Sequence, residues 1–208
     1  MEKKTYALIG CGVVLVGALF VAFITFLSGM STYNTIVSKD EAVNAAWANV
    51  ENVYQRRIDL LPNLANVVER YAKHEQGTLT AVIAARASAT KPELKLTPEV
   101  LENPESMAKF NKAQGELSGL FSKLMVVTEN YPNLKADVQF INLQHEIAGS
   151  ENRISVERRR YNEAVQDLNT YIRGLWGSFV NRFADVKLRT PFKAEEGANK
   201  APKLMQPQ

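Results

Sequence analysis

Two histidine–glutamate pairs, His74-Glu75 and His145-Glu146, are the residues in this chain whose types most readily suggest chemistry. A zinc peptidase helix carries a second histidine four places after the first, with the glutamate between them as general base. Here those fourth positions are Thr78 and Gly149. Neither histidine has a glutamate three places before it, so the di-iron bundle pattern is missing as well. A metal-dependent hydrolase built from His74, Glu75 and His145 therefore needs the fold to bring distant helices together, and it stands as the alternative function. No Ser-His-Asp set, glycine-rich phosphate loop or paired-cysteine motif occurs, and no cofactor is expected.

A second polar group surrounds Pro62: Arg56, Arg57, Asp59 and Asn63. Arg57 falls on a core step of its helix. We expect it to pair with a carboxylate of the last helix, Glu151 or Glu157, and such a pair fixes register more than it adds stability. Asp59 and Asn63 are expected to satisfy carbonyls freed by the proline. Arg158-Arg159-Arg160 point about 100° apart on a helix, so they form no single basic face. Glutamates nearby make them a salt-bridged surface. A net charge of +3 is mild, and nucleic acid is not expected as a partner.

The elements that must position these residues are all helical. Val43, Trp47, Val50, Tyr54, Arg57, Leu61, Leu64, Val68 and Tyr71 alternate steps of four and three. Ser38 or Asp40 is a candidate cap for this helix. Pro62 either kinks it or divides it in two. Helical character continues to about Ala89, and a proline-bearing loop follows. A second helix carries Phe110, Ala113, Leu117, Leu120, Leu124, Val127 and Tyr131. The last, expected over about 134–184, carries Phe140, Leu143, Ile147, Ile154, Tyr161, Val165, Leu168, Ile172, Leu175 and Phe179. No strand alternation appears. The fold class is all-α: an N-terminal transmembrane helix, then an elongated antiparallel bundle of three to four long helices, of four-helix-bundle type.

Residues 6–28 hold an apolar run long enough to cross a bilayer, with a short N-terminal tail at 1–5. Too long for a cleaved signal, it reads as a single-pass signal anchor, and the lipid bilayer is the first expected partner. Lys3 and Lys4 precede it, which places the body on the extracytoplasmic, periplasmic side of a bacterial cytoplasmic (inner) membrane. Cys11, Ala18, Ala22, Thr25 and Gly29 line one face, either as ordinary composition or as a contact for a homo-oligomer. Residues 31–185 form the body domain, and residues 186–208 read as a flexible, polar and proline-bearing tail.

Several motifs in order resemble the LemA family: Tyr33-Asn34, Ala46-Trp47, Arg56 through Leu64, Tyr71 through Glu75, Asn130 through Ala136, Glu151 through Ile154, and Arg160-Tyr161-Asn162. The resemblance implies a single-pass bacterial membrane protein with a helical-bundle body and no catalytic residue to carry over. It also implies partnership with a membrane metallopeptidase or another envelope protein. The motif positions Arg56, Arg57, Asp59, Pro62, Asn63, Glu75, Glu151, Asn152, Tyr161 and Asn162 are marked as structural or interaction candidates. Where many relatives have a proline after the Tyr171-Ile172-Arg173 region, this chain has Gly174-Leu175-Trp176. The expected function is a membrane-anchored helical adaptor or scaffold without catalysis of its own.

Overall fold

In the computed structural model of the chain, the described residues are 2–71, 80, 82–84, 87, 98–127 and 131–193, with side chains at these positions other than 2–11, 13, 98, 99 and 127. They form helices α1 (Glu2–Tyr71), α2 (Pro98–Glu102), α3 (Pro104–Val127), α4 (Pro132–Lys135), α5 (Val138–Arg173) and α6 (Leu175–Ala184), with helical positions also at 80, 82–84 and 87. No strand occurs among the described residues, and the chain is all-α. His74, Glu75 and most of the expected continuation to Ala89 lie outside the described residues.

The apolar N-terminal run and the first body helix are one helix. No glycine or proline falls between Met30 and Asp40, so nothing interrupts the backbone bonds there, and no cap is needed at Ser38 or Asp40. Asp40 instead receives Arg189, through Nε at 3.1 Å and Nη2 at 2.9 Å. Pro62 also lies within α1, which continues to Tyr71. Along the helix the environment changes sharply. From Val14 to Leu27 the large apolar side chains are exposed, whereas Ile36, Val43, Trp47, Val50, Tyr54, Leu61 and Leu64 are buried.

α5 lies antiparallel along α1. Lys39 meets Asp167, Arg57 meets Glu151, and Tyr71 meets Asp137, so partner numbers fall as α1 numbers rise. α3 flanks the pair, with Tyr54 edge-on to Phe110 at 4.9 Å between ring centres. Two apolar clusters result. One gathers Leu61, Leu64, Leu117, Leu124 and Phe140; the other, nearer the exposed run, gathers Trp47, Tyr54, Phe110, Tyr161 and Phe192.

The expected single last helix is divided. Asp137 caps α5 by accepting from the backbone N–H groups of Gln139 and Phe140, at 2.7 and 3.2 Å. It also accepts from the Tyr71 hydroxyl at 2.6 Å. That hydroxyl, before the backbone bonds, holds the Asp137 carboxyl below its usual range. A depressed carboxyl stabilises the fold above its unfolded value and loses this effect as pH falls through the folded one. Asp137→Ala is therefore expected to lower the melting temperature at neutral pH. The difference from the parent should shrink on acidification below the ordinary carboxylate range, in paired thermal melts.

At the other end, Gly174 leaves helical geometry (φ −62°, ψ 151°) and α6 departs in a new direction. A Cβ on Gly177 would stand 2.0 Å from the carbonyl oxygen of Tyr171, and that oxygen belongs to backbone. Gly177→Ala must push α6 off the end of α5. We expect faster proteolysis near residue 174 with little change in total helix content, read by limited digestion beside circular dichroism.

Residues 186–193 do not form the flexible tail expected from 186. They make a non-helical strap held by asparagine side chains, each pairing with one residue's backbone. Asn162 pairs with Phe192 (3.0 and 2.8 Å), Asn169 with Arg189 (2.8 and 3.0 Å) and Asn181 with Val186 (2.9 and 3.2 Å). Polar composition suggested solvation, but these amides satisfy the strap's own backbone groups. Residues 194–208 lie outside the described residues.

Candidate functional site

Between the two apolar clusters α1 carries Arg57, whose side chain is only 3% exposed. Its Nη2 donates to Glu151 on α5 and, at 2.7 Å, to Ser118 on α3, so one guanidinium ties three helices. The Phe121 ring lies below it, 5.6 Å from Cζ. The sequence pointed to this arginine and offered Glu151 or Glu157. Geometry selects Glu151, while Glu157 takes Arg160 at 2.8 Å.

Arg57 lines a cleft of about 550 Å³ bounded by α1, α3, α5 and the strap. Asn111, Gln114 and Ser118 contribute from α3, Glu151 and Arg158 from α5. Lys112 and Lys193 stand at it too, so four cations face one carboxylate. Gln114 is 4% exposed, yet neither its amide nitrogen nor its oxygen has a partner among the described residues. Arg57 Nε and Arg158 Nε are likewise unpaired among them. A buried polar group left unbonded costs roughly 1–3 kcal/mol. The cleft can hold a carboxylate against guanidinium groups and an amide. It presents no assembled nucleophile and base.

The remaining candidates scatter. Arg56 reaches Glu146 at 3.6 Å on the surface. Asp59 accepts from Gln55 at 2.8 Å, not from Pro62's neighbourhood, because a carboxylate has no proton for a carbonyl. Pro62 is half-buried, and Asn63 and Asn152 are exposed. Glu75, with His74, is outside the described residues. Tyr161 is buried and donates to the Thr190 carbonyl at 3.0 Å, and burial pushes its hydroxyl well above the ordinary value. With Asn162 it serves the strap. Arg159 and Arg160 pair with glutamates on the surface, but Arg158 turns inward over the Phe192 ring, 4.6 Å from its centre.

His145 is exposed and its neighbour Glu146 is engaged by Arg56. Among the described residues no three histidine, cysteine or acidic side chains gather as a metal site. Sequence reasoning missed Gln114 and Ser118. Gln114 directly follows Ala113 and Ser118 directly follows Leu117, both on the α3 stripe, and that adjacency was the available signal.

Comparison with known proteins bears on all of this. Two relatives are Magnetosome protein MamQ 1 and Magnetosome protein MamQ 2 of Paramagnetospirillum magneticum (strain ATCC 700264 / AMB-1). Each is 26% identical over 167 residues, covering 73% of this chain and 60% of the relative. The match thus spans about three fifths of the relatives' length. Residues 46–205 match the LemA family, and this interval holds Arg57, the α3 side of the cleft, Glu151 and the asparagines of the strap. The chain belongs to the LemA family.

Proposed function

We propose that this protein is a membrane-anchored helical adaptor of the bacterial envelope, crossing the cytoplasmic membrane once and catalysing nothing itself. The observation that carries the reading is the change of environment along one uninterrupted helix. α1 exposes its large apolar side chains over 14–27 and buries one apolar face, Ile36, Val43, Trp47, Val50 and Tyr54 among it, further along. Exposed apolar surface on that scale is costly in water and favourable in lipid. The N-terminus lies in the cytoplasm and the body, an antiparallel bundle, outside it.

The cleft receives an acidic side chain from another envelope protein. Charge favours that occupant, since Arg57, Arg158, Lys112 and Lys193 outnumber Glu151. Two measurements test the proposal. The full chain should resist alkaline extraction from membranes, and a chain lacking residues 2–28 should be released. A photo-crosslinker at Lys112 in intact membranes should join one partner, and Arg158→Glu should abolish the adduct while Arg159→Glu leaves it. Equal loss in both variants, or release of the full chain by alkali, overturns the reading.

A further inference from the structure

α6 presents the wrong face to water for a helix of a water-bathed body. Leu175 is 98% exposed and Phe183 75%, with Trp176 and Phe179 about half exposed. Trp176 stacks on Phe179 (5.7 Å, 17°), and Phe179 meets Phe183 edge-on at 6.1 Å, so the rings form one continuous apolar strip. The opposite side is tied down: Val180 is buried, Gly177 abuts the end of α5, and Asn181 holds the Val186 backbone. Arg182 is exposed beside the strip.

Position along α1 says what covers this strip. Trp176, Phe179, Val180 and Phe183 form a groove of about 860 Å³ with α1 residues between Ala22 and Asn34. That stretch begins inside the exposed apolar run and ends in polar residues just beyond it. Lipid around the run would leave α6 at the level where hydrocarbon gives way to headgroups. Tryptophan and short amphipathic helices favour that level, with aromatic rings toward the chains and arginine toward water.

We infer that α6 is a membrane-interface helix: its Leu175, Trp176, Phe179 and Phe183 face sits in the headgroup–acyl boundary of the bilayer that α1 crosses. The occupant is lipid because the strip is continuous with the exposed apolar face of α1. The inference rests on the anchoring proposed above and adds a second contact with the bilayer. α6 then fixes how deep the body sits, since α5 and α1 hold it at one height.

The test uses the full chain reconstituted in phosphatidylcholine vesicles containing lipids brominated either near the ester or near the chain end. Trp47 and Trp176 are the two tryptophans, and Trp47 is buried in the body, so Trp176→Phe assigns the signal. We expect bromine near the ester to quench most of the Trp176 emission, bromine at the chain end to quench less, and Trp176→Phe to remove the effect. Alkali-resistant protein with unquenched Trp176 overturns the inference and leaves the anchor standing. Protein released by alkali overturns the anchor itself. In a Cys11→Ser background, a disulfide between copies carrying Phe183→Cys, together with unquenched Trp176, would show a second copy on this face and also overturns the inference.

Discussion

Glu151→Ala should destabilise the folded chain by about 3 kcal/mol, the lower end of the cost of stranding a buried charge. The reason lies in the unequal burial of the two partners. The Arg57 side chain is almost wholly buried at the base of the cleft, whereas the Glu151 side chain is half exposed. Removing the glutamate leaves a guanidinium in the interior with Ser118 as its remaining hydrogen-bond acceptor among the described residues. Removing the arginine leaves a carboxylate that water can reach. Arg57→Met should therefore cost less than Glu151→Ala, and the double variant should recover most of the loss, since a flexible apolar chain fills the same space. Thermal melts in detergent would show this as a drop of roughly 6–12 °C for Glu151→Ala. A larger drop for Arg57→Met would mean that packing of the arginine stem, not its charge, dominates the site.

Phe192→Ala should cost about 3 kcal/mol, as expected for a truncated core phenylalanine. Phe192 stacks on Trp47 at 6.0 Å (23°), meets Tyr161 edge-on at 5.4 Å, and lies under Arg158. It is the plug by which the strap closes the cluster nearer the apolar run. Its loss opens one face of Trp47, so emission from the Trp176→Phe background should shift to longer wavelength. Protease should also begin to cut within 186–193. Unchanged emission and an intact strap would show that the three asparagines hold this segment without the ring.

Much of this architecture could be read from spacing. The α1 stripe from Val43 to Val68 is buried at every expected step, Arg57 included, because steps of four and three keep one face toward α5. Phe110, Ala113, Leu117 and Leu124 behave the same way on α3. The α5 stripe holds from Phe140 to Ile172 and then fails at Leu175 and Phe179, where Gly174 turns the chain and the same periodicity faces outward. The cleft was half legible. Arg57 stood out as a charge on an apolar step, but Gln114 and Ser118 sit beside their stripe and show their role only when the helices meet. The strap was illegible for a different reason. Its partners, Asn162 and Asn169, precede it by 30 and 20 residues, and side-chain amides that mimic a neighbouring backbone leave no periodic trace.

The uninterrupted α1 also has a mechanical meaning. A helix of 70 residues is a shaft of about 105 Å that joins the apolar run to the cleft with no loop between them. With its N-terminal part seated in lipid as proposed, any tilt or roll imposed by bilayer thickness or by a neighbouring protein reaches the cleft directly. One residue added at Gly29 would turn the cleft about 100° around the shaft. The body would then face a different neighbour, and of its contacts with α1 the groove that α6 shares with Ala22, Thr25 and Phe26 would change register.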